Sequence, residues 1–291
     1  ILKADVDNLG LIFNKGFENP LKSEEGLEDI NRKTTSRFLT LSRMLELFFS
    51  GWMKDVMINK PKNEIVEELA QIKGIDQDRF KKYLSNDYIN FENIYTVYSG
   101  GDDLILVAPW ETMIIFAIYL NQQFRKYTCN NDFITLSAGL TFVKDKHPIA
   151  SAIKQAEALL EKSKEDGKNR ITLFGTTIEW EKYPELINFF LFLNKILDNS
   201  EINTAFLYRL LKYHQMALTY LDEGKVEGLK YLSNLSYEIG RKIIIREEDE
   251  RIKKDYIILH KLINEKPNKD SLIYNLKIPI FWALYRHREA I

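Results

Sequence analysis

Two β-rich runs, 94–98 and 104–108, are separated by five residues, Ser99-Gly100-Gly101-Asp102-Asp103. So short a connection leaves an antiparallel hairpin as the simplest fold, because glycine tolerates the positive φ of tight turns. Any sheet this chain builds therefore carries two carboxylates at a hairpin tip. Pro109 follows the second run and ends it.

The surrounding sequence alternates strand and helix signals as far as about Gly175. Residues 1–6 read as a short buried strand. Leu41, Met44, Leu45, Phe48 and Phe49 have helical spacing within 38–52, as do Ile114, Ala117, Ile118 and Phe124 within 112–126. Ile134, Leu136, Ala138, Leu140 and Phe142 alternate with Thr, Ser and Gly, which gives a strand with one apolar side. Pro148 opens a helix that Gly167 closes, and 171–174 is the next strand. The order β-α-ββ-α-β-α-β predicts an α+β domain, a ferredoxin-like palm with helices on one face of a mainly antiparallel sheet. Residues 15–35 and 59–90 are charged and weakly periodic, and read as insertions or mobile loops. Beyond about Trp180, segments 186–197, 205–221, 229–245, 252–263 and 278–285 read as helices. The expected division is a palm over 1–178 and an all-α helical domain over 179–291.

The formal net charge is −1, so no global basic field holds nucleic acid, and such a contact requires a local patch or a partner. The single cysteine, Cys129, excludes an internal disulfide framework and suits a reducing, cytoplasmic setting. No apolar run is long enough to span a membrane. The chain lacks an initiator Met and opens directly in a strand-like run, which reads as a fragment of a longer protein.

Asp5 and Asp7 lie two apart, and share a face if the strand continues that far. If the first strand lies beside the hairpin, Asp5 meets Asp102 and Asp103. Two like charges about 4 Å apart repel by roughly 4 kcal/mol at an effective dielectric near 20. Such a cluster implies a divalent cation or shifted pKa values. Oxygen ligands without His or Cys suit Mg²⁺ or Mn²⁺, and two such ions clamp the attacking and leaving oxygens of a phosphoryl displacement. Gly100 and Gly101 lack Cβ atoms and so admit a nucleotide close to the backbone. In Asp166-Gly167-Lys168-Asn169, Lys168 reads as a triphosphate ligand or as a solvated lysine beside a helix cap. Asn8 and Ser99 suit ribose or base contacts, and equally a turn cap. Arg43 reads as a solvated or structural residue.

On these residues the chain resembles the large signature subunit of type III-A CRISPR interference complexes, the polymerase-cyclase subunit of the Csm-type assembly. The stretches that carry the resemblance are LKADVDNLGLIF (2–13), TLSRMLELFF (40–49), VYSGGDDLILVAPW (97–110), ITLSAGLTFV (134–143) and GKNRITLFG (167–175). A remoter similarity is to GGDEF cyclase domains. The resemblance implies two Mg²⁺ or Mn²⁺ ions held by Asp5, Asp102, Asp103 and the Val6 carbonyl, with Asp102 the main hairpin ligand. It also implies cyclic oligoadenylate synthesis from ATP, switched on by target RNA. The implied partners are the other Csm-type subunits, guide and target RNA through the complex, and the first palm domain of the same protein. That palm and the family's nuclease-type domain are absent from this stretch, so it is expected to bind ATP with metal but to synthesise little alone. Two competing readings are a GGDEF-like diguanylate cyclase and a non-catalytic scaffold of a ribonucleoprotein.

His147, His214, His260 and His287 show no metal-ligand spacing. Arg241, Lys242, Arg246, Arg251, Lys253 and Lys254 are interrupted by the acidic run 247–250 and read as a solvated face rather than an RNA or subunit contact.

Overall fold

The computed structural model describes residues 1–15, 34–199, 202–240, 259, 262 and 265–289. Six strands form one sheet in the order β2-β3-β1-β4-β5-β6. They are β1 (Leu2–Val6), β2 (Tyr95–Gly100), β3 (Asp103–Val107), β4 (Leu136–Leu140), β5 (Arg170–Leu173) and β6 (Thr176–Glu179). Every neighbouring pair is antiparallel except β4–β5. The first strand thus lies beside the hairpin.

Register explains how the sheet is covered. Ala4 pairs with Leu104 on one side and Ala138 on the other, and Ala138 pairs with Ile171. With Leu2, Leu106, Leu140 and Leu173 they make one apolar face, none of it more than 1% exposed. Helix α6 (Trp110–Tyr127) contacts β4 and buries Met113, Ile114, Ala117 and Phe124. The opposite face carries Asp5, Asp103, Ser137 and Gly139. It is covered by α7 (Ile149–Glu165), where Ala152 and Ala156 pack with Ile105 and Val107. A Cβ on Gly139 would lie 2.3 Å from the Ala156 carbonyl oxygen and 2.3 Å from the Leu160 amide nitrogen, so α7 rests on the strand backbone itself. Helices therefore lie on both faces, not on one. The small residues on the other side of β4 are a seat for α7.

The helix read over 38–52 begins at α2 (Thr35–Glu46), capped by the Thr34 side chain at 3.4 Å from the Arg37 amide. It continues through a π-helical turn, Leu47–Trp52, into α3 (Met53–Asn59). Phe48 of that turn packs on Phe124 with ring centroids 5.3 Å apart. The segment read as a loop over 59–90 instead forms α4 (Lys62–Ala70) and α5 (Gln77–Leu84). Leu69, Phe80, Tyr83 and Leu84 are buried, and the many charges between them mask the pattern.

The chain divides into two compact units, Ile1–Leu69 with Leu84–Trp180, and Ala70–Tyr83 with Glu181–Ile291. A single cut after 178 would pass through β6, whereas the first unit runs to Trp180, whose indole donates to the Leu136 carbonyl at 2.8 Å. The second unit contains α8 (Tyr183–Asp198), α9 (Thr204–Leu221), α10 (Lys230–Ile239) and helices Leu272–Asn275 and Lys277–Glu289. Its core stacks Phe190 on Trp282 at 4.2 Å, and the Trp282 indole donates to the Tyr83 hydroxyl at 3.1 Å. Segment 16–33, the basic cluster between 241 and 254, His260 and most of the helices read over 229–245 and 252–263 beyond Gly240 lie outside the described residues. No helix among the described residues is long and apolar enough to cross a membrane.

Candidate active site

Gly100 pairs with Asp103, which leaves Gly101-Asp102 as a two-residue hairpin loop. Gly101 has φ 62° at the first central position and Asp102 has no positive φ, the pattern of a II′ turn. Of the two glycines only Gly101 uses left-handed freedom. This turn sets which acid faces which. Asp103 lies directly opposite Asp5 across the β1–β3 ladder, and the Val6 amide donates to the Asp102 carbonyl at 3.2 Å. Directly opposed side chains have Cβ atoms about 5 Å apart. The sequence reading favoured Asp102 as the main hairpin ligand, but the register puts Asp103 on the face of Asp5 and leaves Asp102 at the tip.

Two lysines unforeseen from the sequence share this face. Lys164, in the last turn of α7, donates to Asp5 Oδ2. Lys3 reaches Glu157 Oε1 at 3.0 Å and lies 3.9 Å from Asp103 Oδ2. Asp103 Oδ1 is buried without a hydrogen-bond partner. Burial raises the pKa of Asp5, and the nearby Asp102 and Asp103 add to the shift while Lys164 opposes it. Asp103 is likewise raised, by burial first and by Asp102 in addition. Burial opposes the Lys164 charge, but Asp5 outweighs it and the lysine pKa stands above its ordinary value.

These residues fit a divalent cation in donor chemistry. An orphaned buried carboxylate oxygen faces a second carboxylate, and both are pushed toward the protonated form. The acids are not drawn into a closed cage, since no group of three or more His, Cys, Asp or Glu among the described residues is gathered to hold a metal. The Lys164 ammonium supplies positive charge there instead. The raised Asp103 pKa makes folding stability depend on pH. Because Asp103 is raised from 3.8, the folded state binds its proton more tightly than the unfolded chain does. Stability therefore falls as pH rises through the window between 3.8 and the folded value. Asp103→Asn is expected to melt above the parent protein at pH 7. The gap should narrow as the pH falls into that window, and also when Mg²⁺ is added. Thermal scans across pH check this, and an Asp103→Asn protein that melts lower at pH 7 would sink it.

Asn8 (φ 59°) is exposed and accepts from Lys168 Nζ, so these two meet at the end of β1. The Ser99 hydroxyl donates to the Phe49 carbonyl at 2.8 Å, and its own carbonyl accepts from Ser50 at 3.1 Å. It anchors β2 to the π-helical turn rather than standing free. Val6 is buried in the β1–β4 ladder. Asp7 does not share the face of Asp5 as an open ligand. The strand stops at Val6, and Asp7 is fully buried. Lys3 was legible in principle, being two residues before Asp5 on one strand face. Lys164, three residues before Gly167, needed the packing of α7 to be known.

The sequence profile of the Cas10/Cmr2 second palm domain matches residues 1–172. The chain belongs to that family. Among curated relatives, the subtype III-A Cas10/Csm1 protein of Methanocaldococcus jannaschii, described as a CRISPR single-strand-specific deoxyribonuclease, is 37% identical over 193 residues, 62% of this chain and 20% of the relative. The Mycobacterium tuberculosis protein of the same description is 33% identical over 224 residues, 73% of this chain and 24% of the relative. The chain therefore spans about a fifth to a quarter of these two relatives. Crystal structures share the fold: Csm1 of T. onnurineus has a TM-score of 0.63 at 20% identity, over 97% of this chain and 37% of that one. A Csm1–Csm4 cassette with one ATP gives 0.59 at 19%, over 97% and 35%, and one with cA3 gives 0.58 at 19%, over 97% and 35%.

Proposed function

We propose that this Cas10-family palm is the nucleotidyl-transfer site of an RNA-guided type III-A effector, and that it converts ATP to cyclic oligoadenylate. The observation that carries the reading is the unpartnered Asp103 oxygen opposite Asp5, with the Lys164 ammonium on Asp5. The cassettes solved with ATP and with cA3 support the same reading. Asp5, Asp103, Asp102 and the Val6 carbonyl would hold Mg²⁺ or Mn²⁺, which when bound neutralises phosphate charge and acidifies a hydroxyl. In the reaction a 3′-oxygen of one ATP bonds to the α-phosphorus of another, and the α–β phosphoanhydride breaks to release pyrophosphate.

This chain's own contribution is charge and position. Asp5 and Asp103 hold negative charge on a rigid sheet. Lys164 and Lys168 stand beside it as cations for a triphosphate. Gly101 leaves one of the two tip positions of the hairpin without a side chain. In the intact protein a second ATP is held against the first palm domain. The other Csm-type subunits, with guide and target RNA, control turnover.

Calorimetry on the intact protein, titrated with ATP and then GTP in Mn²⁺, tests this. Metal-dependent ATP binding is expected, about tenfold weaker in Lys164→Met because a charge-assisted contact is lost. Tight GTP binding without ATP binding would instead favour a guanylate cyclase.

A further inference from the structure

Asp7 is fully buried, yet it is not among the acids that face Asp103. Its Oδ1 accepts from the Ser137 hydroxyl at 2.7 Å. Its Oδ2 accepts from the Thr135 hydroxyl at 2.8 Å and from the Asn169 amide at 2.9 Å. The Asp7 amide in turn donates to the Thr135 carbonyl at 2.8 Å. One carboxylate thus ties the end of β1, the start of β4 and the loop between α7 and β5 together.

That loop has reason to need a tether. Lys168 and Asn169 are consecutive non-glycine residues at φ 64° and 50°, the left-handed region that a lysine rarely adopts and an asparagine tolerates only as a single residue. Only the surroundings keep them there. Within the loop, the Lys168 amide donates to the Ser163 carbonyl at 3.0 Å, and the next amide goes to Asp7. The conformation so fixed carries Lys168 Nζ to Asn8, beside the acidic face.

We propose that Asp7 is a positioning residue: by holding the Asn169 amide it locks the 167–169 loop in the strained form that presents Lys168 to the nucleotide triphosphate. This rests on the acidic-site reading and deepens it. Asp7 touches no reacting atom, so its loss acts through the loop and on nucleotide affinity.

The test uses the intact protein with its partner subunits and target RNA, with ATP varied. Asp7→Ala is expected to raise KM for ATP about tenfold with kcat changed less than about threefold, the signature of lost binding common to ground and transition states. Asp7→Asn keeps an acceptor for the Asn169 amide and is expected to restore KM to within about threefold. Lys168→Ala should add little to Asp7→Ala, because the loop contribution is already gone. Amide exchange should quicken at 168–170 in Asp7→Ala and stay slow through 150–160, where a general loss of packing would quicken both. A fall in kcat as large as the rise in KM overturns the proposal. So do independent, multiplying effects of Asp7→Ala and Lys168→Ala. Asp103→Asn measured alongside separates the two levels. If it stays fully active, the acidic-site reading fails and takes the loop's nucleotide role with it. If it is inactive while the Asp7 and Lys168 effects multiply, only the positioning role is lost.

Discussion

Asp103→Asn is expected to lower oligoadenylate formation by the intact protein about 10²–10³-fold, the range seen when one preorganised charge-stabilising group is removed from an active site. The replacement keeps the shape of a side chain paired in register with Asp5 and removes only its charge. The loss should fall on turnover and not on folding, since burial and Asp102 already disfavour the charged carboxylate. A site whose charges strain the apoprotein and serve only with cation and nucleotide present predicts opposite signs for stability and activity. Product quantified by mass spectrometry across ATP concentration decides it. Asp103→Asn turnover within tenfold of the parent would rule out a principal role for this carboxylate.

Gly139→Ala is expected to destabilise the first unit by about 3 kcal/mol, near the upper end for an inserted methyl group in a packed core. The added carbon would meet backbone atoms of α7 at 2.3 Å, and backbone cannot rotate aside as a side chain does. For a unit of this size the corresponding drop in Tm is about 6–12 °C. Calorimetric melting measures it, and a variant that melts within about 2 °C of the parent would show that α7 yields without cost. Because Lys164 ends the same helix, any lift of α7 should also weaken its bond to Asp5.

Much of the first unit was legible because its signals are local. Five residues between two β-rich runs admit little but a hairpin, and the Leu-Ser-Ala-Gly-Leu alternation of β4 admits little but a strand. The site was legible only in part. The choice between Asp102 and Asp103 depends on whether Gly100 belongs to the strand or the turn, a shift of one residue that reverses every face. The expectation of helices on one face missed the seat of α7, because small residues such as Ser137 and Gly139 carry no apolar signal although close backbone packing requires them. Ser99 reads equally as a ribose or base contact and as a turn cap, and Asp7 as a second acid on the Asp5 face if the strand continues; only long-range partners, Phe49, Thr135 and Asn169, show where their bonds go. In α5, Phe80 and Tyr83 were hidden among charges that lie on the other side of the helix.

That short helix bears on how the protein is made. Ala70–Tyr83 groups with Glu181–Ile291, yet leaves the ribosome roughly a hundred residues before Phe190 and roughly two hundred before Trp282, against both of which Tyr83 packs. The nascent helical half must wait for its oldest piece to be rejoined by its newest. A fragment beginning at Glu181 would emerge with an aromatic slot standing open to water. Excising that half as a tail is therefore not an option the fold provides, and its boundary lies in two places along the message.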